Sequence, residues 1–357
     1  AGRPRQAAQP VPGGGGGAGG LELATQLGRG YGRRKRALIT LVDKNRTHIW
    51  KPKLHEIASG SMDLGDHEVD YMAQAHWNHF TFRIGELKGL DRANKTIELA
   101  PYVDEQGRAV TPTQYISYDT LVICIGSLSN DFGTQGVKEH ALKLETQHDA
   151  KSFHSRMVNA CIRAHNQAGV IHKRQLHVAI IGAGGIGFDV AEYLVHDHEH
   201  KSPSLDLVVW MQEWGVTDPS ASPGGLRPEG PKPLPAAREV VLLQRKKGKL
   251  GHGLGKTTGW IHRASLKMKD VEMVGGVNYE RIGDEGLLVS FGDKRERPTW
   301  IACDNVVLCA GQVPLRELAD ELKAQGKPVH LIGGAFEAGE LDAKKAIDQA
   351  ARLAANI

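Results

Sequence analysis

The feature that most constrains this chain is a glycine pattern that occurs twice. Gly15, Gly17 and Gly20 satisfy G-x-G-x-x-G, and so do Gly182, Gly184 and Gly187. Apolar residues at helical spacing follow each one: Leu21, Leu23, Ala24 and Leu27 after the first, Ile186, Val190, Ala191 and Leu194 after the second. The run HVAII at 177–181 precedes the second fingerprint and reads as a strand. Strand, glycine turn and helix together open a dinucleotide-binding unit. The missing side chains let the backbone approach a pyrophosphate, whose charge is stabilised by unpaired amides and the positive helix end. Beyond the first fingerprint, LITLVD ends in Asp43, where a ribose hydroxyl needs an acceptor. The pattern predicts an α/β fold with two Rossmann-like dinucleotide-binding domains. One segment departs from it. QAAQPVP, ahead of the first glycines, lacks an apolar run, and Pro10 and Pro12 cannot donate to a central ladder, so the first strand is expected to be degenerate.

The strand after the second fingerprint helix carries no terminal carboxylate. VVLLQRKK ends in Gln244, Arg245, Lys246 and Lys247. Arginine and lysine at this point would pair with a 2′-phosphate, which predicts NADPH rather than NADH as the preferred coenzyme. GLGKTT at 253–258 looks like a phosphate loop, but that motif requires glycine at 250 and this chain has Leu250, so ATP hydrolysis is not expected.

With 357 residues the chain is long enough for two domains, each with its own core. It contains no long uncharged apolar run, so no membrane-spanning helix is expected. Its 45 basic and 41 acidic residues leave a formal charge of +4, too small an excess to suggest a nucleic-acid partner. The cysteines, Cys124, Cys161, Cys303 and Cys309, include no C-x-x-C pair and read as reduced, mostly buried thiols. A cytoplasmic location follows as an expectation. No H-E-x-x-H motif occurs in the sequence, and no metal site is expected.

Other strand candidates are 37–42, 121–125, 240–243, 287–291, 306–309 and 329–332. TLVICIGS and NVVLCAGQ each run from apolar strand into glycine, at Gly126 and Gly311, as strands do where a chain passes between domains. The proline-rich stretch 202–235, around Trp210 and Trp214, reads as a surface insertion. The cluster Arg33, Arg34, Lys35 and Arg36 reads as a solvated basic turn.

Two family resemblances emerge from longer segments. From about residue 13 to 183 the chain resembles type II NADH:quinone oxidoreductases, through GGGAGGLELATQLG, ITLVDKNRTHIWKPKLHEIASGS, AQAHWNHF and YDTLVICIGSLSNDFGTQG. From about 180 to 357 it resembles the C-terminal part of NADPH-dependent 2,4-dienoyl-CoA reductase, through AIIGAGGIGFD, GGLRPEG, LLQRKKGK, GHGLGKTTGWIHR and CAGQVPLRELAD. These resemblances imply the architecture of the pyridine nucleotide-disulfide oxidoreductases without the disulfide. An FAD domain of residues 1–159 and 311–357 would enclose an NAD(P)H domain of residues 160–310. Carried over by motif, flavin contacts fall on Gly15, Gly17, Gly20, Asp43, Gly126, Gly333 and Gly334, with Lys51 near the flavin ring. Both families commonly place an aspartate after the last strand, where this chain reads GGAFEAGE.

The implied activity is hydride transfer from NAD(P)H to FAD, then electron transfer to a quinone or another small acceptor. In this chemistry the cofactor reacts and the protein supplies binding and orientation. Two alternatives stand beside it: the NADPH/FAD reductase module of a dienoyl-CoA reductase, and a nucleotide-binding or redox-sensing protein without catalysis. Neither the quinone segment and amphipathic membrane anchor of the first family nor the FMN barrel and iron-sulfur cysteines of the second is recognisable. Membrane contact is therefore expected to be weak and peripheral, at the inner face, through the Arg33–Arg36 turn.

Overall fold

Two runs of buried β-branched and aliphatic residues each nucleate a parallel sheet, and the sheets belong to different units. The computed structural model describes residues 5–9, 17–63, 65, 67–104, 106–166, 177–196, 205–326, 329–339 and 343–356. One compact unit comprises residues 1–129, 142–163 and 311–357; the other comprises 130–141 and 164–310. Segment 130–141, expected in the first domain, packs instead with the second unit. The amide of Gln135 donates to Glu280 O, and a Cβ at Gly136 would lie 2.5 Å from Ile282 O.

In the first unit, strands β1 (Arg5–Gln9), β2 (Ala37–Asp43), β3 (Thr81–Ile84) and β4 (Thr120–Leu121) form a parallel sheet in the order β4-β1-β2-β3. The degenerate segment therefore does supply a strand, paired from Arg5↔Ala37 to Gln9↔Leu41. Helix α1 (Ala18–Leu27) follows the first fingerprint and buries Leu23, Ala24 and Leu27 against Ile39, Leu41, Val122, Ile123 and Ile332. Each such aliphatic side chain contributes about 1.5–3 kcal/mol by leaving water. Helix α2 (Tyr71–Asn78) adds Tyr71 and Ala75 to the same core. The expected strands 121–125 and 329–332 are mostly extended chain without a ladder; Ile123 and Leu331 share one parallel bridge. A separate antiparallel sheet of Leu87–Asp91, Thr96–Leu99 and Gln114–Ser117 packs Ile97 and Leu99 with Val42.

In the second unit, β5 (His177–Ile181), β6 (Glu239–Gln244), β7 (Glu272–Gly275) and β8 (Asn305–Leu308) form a parallel sheet in the order β7-β6-β5-β8. Strand β5 is covered on both faces, as its continuous apolar run requires. Val178 and Ile180 meet Phe188 and Ala191 of helix α3 (Gly185–Val195), while Ala179 and Ile181 meet Tyr279, Leu287 and Val289. The last three belong to an antiparallel sheet of Val277–Gly283, Gly286–Phe291 and Glu296–Ile301. The proline-rich stretch contains helix α4 (Leu207–Trp214), capped by the Asp206 carboxylate accepting from Val208 N and Val209 N. The Glu213–Lys269 ion pair, 3.2 Å long and largely buried, ties this stretch to the rest of the unit. Among the described residues no helix is long and apolar enough to cross a membrane.

Candidate functional site

The first fingerprint, the end of β2 and the residues after β4 face one cavity of about 380 Å³ in the first unit. It brings together Gly17, Gly20, Asp43, Lys51, Gly126, Gly333 and Gly334. Gly15 lies outside the described residues. Gly17 caps α1 and has no side chain to satisfy the first-turn amides, so these remain available to an anion. Gly126 has φ +73° with nothing within 4 Å of the position of a Cβ, and Gly333 has φ +62°. Gly334 allows close packing, since a Cβ there would lie 3.0 Å from Ser127 Oγ.

Asp43 is 1 % exposed and its Oδ1 accepts from Asn45 N at 2.7 Å and Asn45 Nδ2 at 3.1 Å. Beside it, Tyr71 is held well above the ordinary phenol range, by burial first and then by the Asp43 charge and hydrogen bond. Asp43 is thus a fixed acceptor in the lining of the cavity. His48, in the same wall, is pushed down to about 4 by burial and is neutral at physiological pH.

Lys51 lines the cavity together with Lys44 and Lys345. Its Nζ donates to Ser127 O and to Gln312 Oε1, each at 3.0 Å, and pairs with Glu145. Glu145 also accepts from Ser129 N at 2.5 Å. Burial raises the Glu145 pKa, but hydrogen bonds from Lys51 and Ser129 and the Lys51 charge more than offset it, leaving a net lowering. Gln312 Nε2 donates in turn to Ser129 Oγ at 3.1 Å. Gly311, with φ +78°, does not line the cavity; it precedes the strand Gln312–Pro314, which pairs antiparallel with Ser127–Ser129.

Gln312 closes NVVLCAGQ, which was read only for its glycine, and Glu145 was not found from sequence because it stands in no motif. Gln349, whose Oε1 accepts from Gly333 N at 2.7 Å, was missed for the same reason. Where the aspartate after the last strand is missing, Glu337 lines the cavity and supplies a carboxylate.

The second fingerprint forms a tight turn between β5 and α3. Gly182 has φ +106°, and a Cβ on it would lie 2.3 Å from Cys309 O. A Cβ on Gly187 would lie 1.9 Å from Gly182 O, whereas nothing lies within 4 Å of one on Gly184. Gly182 and Gly187 thus seat α3 on the sheet, and Gly184 leaves open space at the helix N-terminus. Immediately past β6, the Arg245 guanidinium stacks 3.7 Å from the centre of the Phe132 ring, which itself stacks on Tyr279. Lys246 is exposed, and its carbonyl accepts from Gln244 Nε2 at 2.9 Å. Lys247 pairs with Asp293 at 3.5 Å.

Cys124, Cys303 and Cys309 are free thiols; burial raises Cys124 to about 12 and Cys309 to about 11, and the Cys161 side chain lies outside the described residues.

Comparison with known proteins places this geometry. A family model described as pyridine nucleotide-disulphide oxidoreductase matches residues 15–334. A type II NADH:quinone oxidoreductase of Haemophilus influenzae is 39 % identical over 200 residues, covering 53 % of this chain and 45 % of that protein. The chain thus spans just under half the length of this curated relative. Among solved structures, NDH2 of Plasmodium falciparum in complex with NADH superposes with a TM-score of 0.63 at 13 % identity, covering 93 % of this chain and 64 % of that one. The sulfide:quinone oxidoreductase of Aquifex aeolicus gives a TM-score of 0.61 at 13 % identity, covering 99 % and 76 %. At such identities the structures share the fold. With two fingerprints on two parallel sheets and a family match across most of its length, the chain belongs to the pyridine nucleotide-disulphide oxidoreductase family.

Proposed function

We propose that the chain is an FAD-dependent NAD(P)H oxidoreductase that passes electrons to a quinone. The observation that carries this reading is the convergence of Gly17, Gly20, Asp43, Lys51, Gly126, Gly333 and Gly334 on one cavity. The donor set fits a dinucleotide: helix-end amides for the pyrophosphate, Asp43 for a ribose hydroxyl and the oriented ammonium of Lys51. A flavin held there would supply the redox chemistry, hydride acceptance and electron release, while these residues bind and orient it. Lys51, fixed by Ser127, Gln312 and Glu145, holds positive charge in the cavity wall and stabilises negative charge developing nearby. The coenzyme site is proposed at Gly182, Gly184 and Gly187, with Arg245 and Lys246 receiving the 2′-phosphate of NADPH. The quinone assignment follows the type II NADH:quinone oxidoreductase relatives.

Steady-state oxidation of NADPH and NADH, with a short-chain quinone, ferricyanide or a dienoyl-CoA as acceptor, tests the reading. Quinone-dependent oxidation is expected. Turnover of the dienoyl-CoA by the protein alone, with none of the quinone, would replace this reading with that of a dienoyl-CoA reductase.

A further inference from the structure

Arg245 is held by a ring and not by a carboxylate. Among the described residues no ion pair and no side-chain hydrogen bond engages its guanidinium. Other basic side chains of the second unit are paired: Lys247 with Asp293, Lys269 with Glu213 and Arg295 with Glu280. The Arg245 guanidinium lies instead over the Phe132 ring, 3.7 Å from its centre. The difference matters for an anion. A carboxylate would neutralise the charge and occupy the N–H fork, whereas a ring face attracts the cation and leaves the edges of the fork open.

Phe132 reaches this place at a conformational cost. Its φ is +52°, in the left-handed region that bulky residues rarely adopt. Such a backbone persists only where its surroundings fix it. Here the Phe132 amide donates to Asn130 Oδ1 at 2.9 Å, and Gly133 N donates to Asp131 Oδ1 at 2.8 Å. Further on, Gln135 N donates to Glu280 O at 3.3 Å and Gln135 O accepts from Ile282 N at 2.9 Å, which fastens the segment to strand Val277–Gly283. From that strand the ring of Tyr279, 5 % exposed, stacks on Phe132 with 5.8 Å between centres and 26° between planes. The backbone beside Arg245 is fixed separately, since Lys246 O accepts from Gly276 N at 3.1 Å and from Gln244 Nε2 at 2.9 Å. Three segments of the second unit, far apart in sequence, thus meet to orient one guanidinium.

We propose that Phe132 is a positioning residue for coenzyme choice: its ring holds the Arg245 guanidinium ready for a 2′-phosphate, so the preference for NADPH depends on Phe132 as well as on Arg245. The inference rests on the assignment of Arg245 to that phosphate. Immobilising a long flexible side chain at the moment of binding costs about 2- to 12-fold in affinity, and a guanidinium already stacked on a ring avoids most of that loss.

Calorimetric titration of NADPH and NADH onto the purified whole chain tests it, with Phe132→Leu, Phe132→Met, Phe132→Tyr and Arg245→Ala beside the unmodified protein. Leucine and methionine keep apolar bulk against Tyr279 but remove the ring. Each is expected to weaken NADPH binding by about 2- to 12-fold and to leave NADH binding unchanged. Phe132→Tyr keeps the ring and should bind NADPH as tightly as the unmodified protein. Phe132→Leu added to Arg245→Ala should cause no further loss, because the ring acts only through the guanidinium. A loss shared equally by NADPH and NADH would show that the ring merely supports the fold, and would overturn the proposal. If Arg245→Ala weakens NADPH binding and the folded leucine and methionine variants do not, the proposal fails while the phosphate assignment stands. If Arg245→Ala itself leaves NADPH binding unchanged, the assignment fails and the proposal with it.

Discussion

Arg245→Ala is expected to weaken NADPH binding by about 10- to 150-fold while leaving NADH binding within about twofold. A hydrogen bond to a charged partner contributes about 1.5–3 kcal/mol, and that range converts to this factor. Arg245 is suited to the role because its guanidinium is already stacked 3.7 Å from the Phe132 ring, so little side-chain freedom remains to be lost when phosphate arrives. The planar fork keeps its N–H groups at the edges while the face is covered. No carboxylate ends β6 to repel the phosphate, for Gln244 occupies that place and turns its amide onto Lys246 O. Coenzyme titrations on the unmodified and variant proteins decide the matter. Equal losses for both coenzymes, or an NADH preference before substitution, would remove this turn from the phosphate site.

The second large effect concerns stability. Gly187→Ala is expected to destabilise the second unit by at least about 3 kcal/mol, the upper range for an overpacked core, or roughly 6–12 °C of melting temperature for a unit of this size. The added methyl would sit 1.9 Å from the backbone oxygen of Gly182, which cannot turn away as a side chain could. Helix α3 must then lift from β5, where Phe188 and Ala191 pack with Val178 and Ile180. Gly184→Ala is the control: its backbone, φ −86° and ψ −171°, suits any residue and its Cβ position is open. Thermal unfolding of both variants measures the contrast. Similar melting temperatures for the two would mean that close helix packing is not what Gly187 provides.

What the sequence reveals depends on how local each signal is. Strand β5, the turn at Gly182 and helix α3 are consecutive, so the apolar run, the glycine spacing and the helical period lie in one window and agree. The same holds for β2 ending in Asp43. Segment 121–125 looked equally like a strand, but only Leu121 joins the ladder to β1, and Ile123 makes a single bridge to Leu331, far off in sequence. The strands Leu87–Asp91, Thr96–Leu99 and Gln114–Ser117 are short and half exposed, so their alternation carries little signal. At the candidate site, the resemblance pointed to Lys51 and not to what holds it. Glu145 is 94 positions away and Gln312 is 261, and such convergence arises only when the fold closes. Segment 130–141 was misplaced on the same grounds, because its attachment to Glu280 and Ile282 is tertiary.

The central claim is that this chain binds a flavin which NAD(P)H reduces, and its most direct test is the absorption spectrum of the purified, FAD-supplemented protein under anaerobic conditions. After removal of unbound FAD, the account predicts the bands of oxidised flavin retained with the protein, and their bleaching when NADPH is added. A protein that stays colourless and takes up no FAD would contradict it, leaving a dinucleotide-binding fold without the cofactor that the proposed chemistry requires.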